Sequence, residues 1–262
     1  MGAKATGSGT EVMSVGSAYG RFAARVNSLA PIKSLAPIKS LAMVKSLLIT
    51  LALCFSPAHA QNAPGKAAPP VKLAFLGDSL AAGYGLKPDQ AIPARLEAAL
   101  KAAGRNVTVI NHGVSGDTTA GGLARVDWML ADKPDIVIVE LGGNDALRAL
   151  DPAATERNLD AIIGKLKQAG VTVWLAGMLA PRNFGPEYAT QFDGAFQRLA
   201  DKHGVPFYPF FLDGVAQDPA LNQPDGIHPN AKGVDVVVAR LMPFVTRNLD
   251  DYAASVRRPA RP

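Results

Sequence analysis

Ile136-Val-Ile-Val-Glu-Leu141 and Val171-Thr-Val-Trp-Leu-Ala176 decide the fold. Both are nearly unbroken apolar runs, not the apolar-polar alternation of a strand with one wet face. Strands of that kind suit a parallel sheet covered by helices on both sides. Working outward, Val71–Leu76, Val107–Ile110 and Phe207–Phe211 are the further candidate strands. Between them, Leu159, Ile162, Ile163 and Leu166 fall at helical spacing, as do Tyr188, Phe192, Phe196 and Leu199, and later Val234, Val237, Val238 and Leu241. The alternation predicts an α/β domain with a five-stranded parallel sheet and right-handed crossovers, so the loops after the strands gather at one edge. Ligands bind at that edge in open α/β sheets. The domain is expected over 71–250, followed by a frayed tail over 251–262.

The first strand runs into Gly77-Asp78-Ser79-Leu80-Ala-Ala-Gly83. A serine at a strand's C-terminal end, with glycine beside it so that the backbone can turn sharply, is well sited as a nucleophile. A Gly-rich turn or a phosphate cradle is the plainer alternative, but no P-loop lysine follows and Pro88 stands where the last glycine of G-x-G-x-x-G would be. Leu80 occupies the place of an aspartyl phosphatase's second acid, and the G-x-S-x-G elbow is absent.

Serine needs a base, usually a histidine oriented by a third group. His203, in Asp201-Lys-His-Gly204, reads as a helix C-terminal contact. His112, after the second strand, stands at the expected active edge without an acid nearby in sequence. His228 lies in Asn222-Gln-Pro-Asp225-Gly-Ile-His228-Pro-Asn230, where a carboxylate three residues earlier, across a glycine, can curl back to the Nδ1 proton. An Asp-Gly turn with Asn230 as N-cap is the structural reading of the same segment, and the two are compatible. Acyl transfer also needs donors for the developing oxyanion. Candidates are the glycine N–H in Asn111-His-Gly-Val-Ser-Gly116-Asp-Thr-Thr119 and the amide in Glu140-Leu-Gly142-Gly-Asn144-Asp145.

Gly77-Asp78-Ser79-Leu80, Gly116, Gly142-x-Asn144-Asp145 and Asp225-x-x-His228, in this order, resemble the four blocks of the SGNH (GDSL) hydrolases. The longer matches Ser115-Gly116-Asp117-Thr118, Val139-Glu-Leu-Gly-Gly-Asn-Asp145, Pro209-Phe-Phe211 and Asp225-Gly-Ile-His-Pro-Asn230 resemble the bacterial thioesterase I/lysophospholipase L1/arylesterase subgroup. The resemblance implies a flavodoxin-like three-layer sandwich that hydrolyses carboxylic acyl esters or thioesters through an acyl-enzyme. It implies Ser79 as nucleophile, His228 as base and Asp225 as orienter, with an oxyanion hole from the Ser79 and Gly116 N–H groups and Asn144. It implies no cofactor and no metal. Carbohydrate O-deacetylases use the same blocks, and a non-catalytic lipid-binding protein could keep the fold. Retention of Ser79, Asn144 and His228 argues against the latter.

The loop Gly177-Met-Leu-Ala-Pro-Arg-Asn-Phe-Gly-Pro-Glu-Tyr188 is broken by prolines and glycines yet carries Met178, Leu179, Phe184 and Tyr188, which are costly to leave in water. It is expected to form a movable wall for an acyl chain, with Phe184 at its centre.

The formal charge of +5 invites a nucleic-acid reading, but Lys4, Arg21, Arg25, Lys33, Lys39 and Lys45 face only Glu11 in residues 1–60. Residues 61–262 hold 21 basic and 21 acidic side chains, which removes the case for a polyanion partner. Met43-Val-Lys45, the apolar run Leu47 to Phe55 and Ser56-Pro-Ala58-His-Ala60 have the order of a secretory signal over 43–60, cleaved after Ala60. The run is about half a membrane span, so no permanent span is expected. Upstream, Ser28-Leu-Ala-Pro-Ile-Lys33 repeats at Ser34 and, altered, at Ser40, and 1–42 reads as a mis-started leader. The one cysteine, Cys54, follows Leu53, which is larger than a lipoprotein signal favours. Its removal with the leader leaves no thiol chemistry. Residues 61–70 are an Ala/Pro-rich lead-in. An exported enzyme with a small-molecule acyl substrate is the reading that results, and its oligomeric state has no signature in the sequence.

Overall fold

A computed structural model describes residues 68–257. The expectations for 1–42, for the signal at 43–60 and for most of the lead-in lie outside the described residues. Five parallel strands form one sheet in the order β2-β1-β3-β4-β5: β1 (Val71–Gly77), β2 (Val107–Gly113), β3 (Ile136–Glu140), β4 (Thr172–Ala176) and β5 (Phe207–Tyr208). The helices are α1 (Ser79–Ala82), α2 (Ile92–Ala102), α3 (Thr119–Ala124), α4 (Val126–Leu130), α5 (Gly143–Leu147), α6 (Pro152–Gln168), α7 (Pro186–His203) and α8 (Ala231–Arg257). Pairing of α2 with α8, and of α3 and α7 with α6, makes two helical layers around the sheet. This is the expected three-layer α/β architecture.

The unbroken apolar runs owe their character to position. Every residue of β3 is buried, and Val173, Trp174, Leu175 and Ala176 of β4 are buried as well. At the sheet edge, β2 is mostly half-buried.

Three boundaries differ from the sequence reading. β2 runs on to Gly113, because Asn111, His112 and Gly113 continue the register opposite Phe75, Leu76 and Gly77. β5 stops at Tyr208, since Pro209 has no N–H to give the ladder, and Phe211 instead donates its N–H to the Gly177 carbonyl at 2.9 Å. The expected tail from 251 is helical as far as Arg257, because Tyr252 packs against the core and carries α8 past residue 250. Among the described residues, no helix is long and apolar enough to cross a membrane.

Candidate active site

β1 ends by delivering Ser79 to the first turn of α1, where Asp78 caps the helix by accepting the Leu80 N–H at 3.0 Å. On the far side, the segment between β5 and α8 curls through Gly226, whose φ of +70° suits a residue without Cβ. That curl brings Asp225 Oδ2 to 2.7 Å from His228 Nδ1, while Asp225 Oδ1 accepts the backbone N–H groups of Ile227 at 2.9 Å and His228 at 3.0 Å. An ionised carboxylate only accepts, so Nδ1 carries the proton and Nε2 is free to accept from the Ser79 hydroxyl, 2.8 Å away. The three backbone and side-chain donors, the His228 N–H foremost, hold the Asp225 carboxyl down to about 2. The loop is fastened to the serine side by Gln223, whose side-chain amide donates to Tyr84 O at 2.7 Å and Pro229 O at 3.0 Å. The Tyr84 ring lies 4.6 Å from the imidazole. Asn230 caps α8 by accepting from Lys232 and Gly233. The Ser79–His228–Asp225 contacts and the Asn230 cap therefore coexist in one geometry.

Asn144, in the first turn of α5, donates one amide N–H to Asp78 Oδ2 at 3.1 Å and lines the cavity over Ser79. Its second N–H has no hydrogen-bond partner among the described residues. Gly116 sits at φ +84° in the turn after β2 with its carbonyl held by Arg148 at 2.9 Å, and it is not among the residues lining that cavity. Neither the Ser79 nor the Gly116 N–H has a hydrogen-bond partner among the described residues.

Several supporting residues escaped the sequence reading. The Arg125 guanidinium staples three pieces together, with Asp117 at 2.6 Å, His112 O at 2.7 Å and Gly77 O at 2.8 Å. Asp145 accepts from the Thr119 N–H and hydroxyl at 2.8 and 2.6 Å, tying the Asn144 turn to α3. Beneath the turn that carries Ser79, Glu140 is fully buried. Burial, and then the charge of Asp78, push its carboxyl well above the usual range. Burial also raises Asp78 to about 6, against the pull of Leu80 and Asn144. A carboxylate ending an otherwise apolar strand was the available signal for Glu140.

His112 is buried against the edge of Trp128, and its Nε2 lies 3.0 Å from Asp132 but out of line for a hydrogen bond. It lines neither wall of the serine cavity, and burial lowers its pKa. His203 ends α7 and contacts Asp160 at 2.6 Å, in keeping with its helix-terminal reading.

The serine opens into a cavity of about 480 Å³. Met178 and Leu179 line this cavity with Ala180 and Pro181, as do Phe210, Leu212, Ala216, Gln217 and Ile227. Phe184 and Tyr188 are a correction, for neither lines the cavity. Phe184 packs edge-on against Tyr188 at 5.6 Å, and Tyr188 stacks on Phe192 at 6.1 Å while its hydroxyl donates to Leu150 O. The pair extends the aromatic row of α7, and that packing takes the place of an acyl contact. The loop is also tied down, because Asp193 accepts from the Ala180 N–H at 2.8 Å and from Arg182 at 2.7 Å. A second cavity of about 550 Å³, between α2 and β2, holds no nucleophile and base in contact; its Glu97 and Lys101 neutralise each other. Chemistry, not size, selects the serine cavity. Among the described residues, no three His, Cys, Asp or Glu side chains converge as metal ligands would.

Residues 75–236 match the model of the GDSL-like lipase/acylhydrolase family. The chain belongs to this family. As a GDSL-like acylhydrolase it is 41% identical over 158 residues to the esterase TesA of Pseudomonas aeruginosa, covering 60% of this chain and 79% of that one. It is 38% identical over 181 residues to the thioesterase 1/protease 1/lysophospholipase L1 of Escherichia coli K12, covering 67% and 86%. Among solved structures, the SGNH-hydrolase family esterase AlinE4 is 47% identical with a TM-score of 0.58, covering 69% of this chain and 97% of its own. The GDSL-like chain is thus an ester-hydrolysing enzyme with an SGNH-type α/β fold.

Proposed function

We propose that the protein hydrolyses carboxylic acyl esters or thioesters through an acyl-enzyme on Ser79. The observation that carries this reading is the Ser79–His228–Asp225 relay, with contacts of 2.8 and 2.7 Å, at the floor of a cavity with largely apolar walls. His228 Nε2 takes the Ser79 proton as Oγ attacks the acyl carbon, and then gives it to the departing alcohol or thiol. Water repeats the cycle in the second half, with His228 again as base. Asp225 stays ionised and steadies the imidazolium. The developing oxyanion is met by the second Asn144 N–H, with the Ser79 and Gly116 N–H groups as the other donors.

The apolar walls favour an acyl chain over a sugar, which ranks the esterase and thioesterase reading above a carbohydrate deacetylase. The names of the relatives, esterase and thioesterase/lysophospholipase, support the same ranking. The decisive experiment is labelling by a fluorophosphonate probe together with Ser79→Ala. The wild type should be labelled and hydrolyse p-nitrophenyl esters, and Ser79→Ala should do neither while melting normally. Turnover by Ser79→Ala at the wild-type rate would remove the covalent mechanism. Export is part of the same proposal, and it is supported by the charged, apolar and small-residue order of 43–60. Secreted protein should begin at Gln61, and a product that retains the Ser28–Lys45 hexads would sink that reading.

A further inference from the structure

Glu140 is the least explained group near the site. It is the register partner of Gly77, and a Cβ on Gly77 would come 2.6 Å from Glu140 Oε2. The carboxyl therefore occupies the space that glycine leaves free. Oε2 lies 3.4 Å from the Asp78 amide nitrogen, and the same point under Gly77 is approached by the Ala81 Cβ, so Glu140 supports the turn that carries Ser79 from below. Oε1 is buried with no hydrogen-bond partner among the described residues.

The charged groups around it divide clearly. From the turn, Asp78 brings a second carboxyl, held by the Leu80 N–H and the Asn144 amide. From the α3–α4 junction, Arg125 spends its guanidinium on Asp117 and two backbone carbonyls. From α5, Asp145 is committed to Thr119, and the register partner on β4 is Ala176. Among the described residues no cation bonds to Glu140, so two adjacent buried anions would go uncompensated. Asp78 receives N–H donors at 3.0 and 3.1 Å, one on each oxygen, whereas Glu140 leaves one oxygen bare. Asp78 is the better home for the single charge.

We propose that Glu140 is a positioning residue that acts as a neutral carboxylic acid, propping the Gly77–Ser79 turn so that Asp78 keeps the charge and holds the Asn144 amide toward the substrate. The direction of both carboxyl shifts agrees with this assignment. The inference rests on reading Asn144 as an oxyanion donor. It makes the floor of the site a chain of three side chains, of which only Asn144 touches substrate.

The test pairs a spectrum with kinetics. In full-length mature enzyme carrying ¹³C-carboxyl glutamate, infrared spectra at pH 8 should show one protonated-carboxyl band that Glu140→Gln removes. Glu140→Ala should lower kcat by on the order of 10²-fold with KM little changed, since a misplaced oxyanion donor is felt in the transition state. Glu140→Gln, which mimics the neutral acid, should recover at least about tenfold of that loss. It should also leave the acid limb of the pH profile in place, because no charge has been removed. Absence of the band, a Glu140→Gln enzyme no better than Glu140→Ala, or an acid limb that moves down would each overturn the proposal. If Glu140→Ala does not fold, the spectrum and the acid limb of Glu140→Gln still decide. The band should persist in Ser79→Ala. An active Ser79→Ala would refute the nucleophile assignment and leave the protonation state of Glu140 to be decided by the band alone.

Discussion

The site is served by acids in two contrasting settings. Asp225 lies near the surface on a loop, its side chain 35% exposed, and three N–H donors hold it ionised at about 2. Asp78 and Glu140 lie under the sheet edge, essentially without exposure, and burial drives both upward. Backbone N–H groups stabilise an anion at little cost where water also reaches it. Burial does the reverse unless every oxygen is met. The first carboxylate can therefore support a histidine at any working pH, whereas the second pair can keep only one charge and uses it to orient an amide.

The sharpest break of this contrast is Asp225→Asn. The amide cannot serve as a pure acceptor for Nδ1–H, so the imidazole loses its tautomer and its support, and kcat should fall by on the order of 10⁴-fold. Steady-state hydrolysis of p-nitrophenyl butyrate measures it, and a loss below tenfold would show that the loop does not need its acid. Next comes Asn144→Ala, expected to cost about 10²–10³-fold in kcat as a lost oxyanion donor. Asp78→Asn should approach the same figure without touching Asn144. An Asn at 78 can offer its own amide N–H, which invites the Asn144 oxygen and turns the Asn144 donors away. Equal losses in the two variants, with no further loss in the double variant, would show that they act as one unit.

Stability gives the opposite sign at the two acids. Asp225 has a folded value below its ordinary 3.8, so its contribution is present above that pH and is lost as pH falls toward about 2. Asp78 has a folded value raised to about 6, so the unfolded chain gives up its proton first. Its ionisation therefore lowers stability as pH rises from about 4 through 6. Thermal melts should show Asp78→Asn gaining on the wild type between pH 4 and pH 8. Asp225→Asn should lose ground to the wild type as pH rises from 2 to 5. A parallel shift in both variants would erase the distinction.

The parts of this arrangement that could be read from sequence are those with short-range signatures. Asp225 and His228 sit three apart across a glycine, and Ser79 follows a strand directly, so local spacing already implies their geometry. The unbroken runs at Ile136 and Val171 likewise carry the sheet in their own composition. Glu140 reads as the polar end of an apolar strand, but what it faces is not legible, because only strand pairing puts it opposite Gly77. Arg125, set among small and apolar residues, gives no hint that it reaches back across 48 positions to Gly77. Phe184 misled for a related reason. Flanking breakers suggest a free loop, while the aromatic row of Tyr188, Phe192 and Phe196, visible at helical spacing, was what it joined.

The smallest expected effect tests that correction. Leu179 is 40% exposed and lines the cavity, whereas Phe184 is 38% exposed and does not. Exposure alone cannot tell the two apart, and their roles differ only by what they face. Each methylene of an acyl chain buried on the Leu179 wall is worth at most ~0.8 kcal/mol, so preference should climb from acetyl to medium-chain p-nitrophenyl esters until the wall ends. Leu179→Ala removes part of that wall and should lower kcat/KM for hexanoyl esters by roughly threefold to tenfold, with a smaller effect on acetyl esters. Phe184→Ala should change the two esters equally, and by less than about twofold. It should also cost some thermal stability, through the lost edge contact with Tyr188, for which aromatic pairs give about 0.5–1.5 kcal/mol. A chain-length-dependent loss in Phe184→Ala, matched by indifference in Leu179→Ala, would return Phe184 to the acyl wall and assign the cavity beside Leu179 to the alcohol or thiol leaving group.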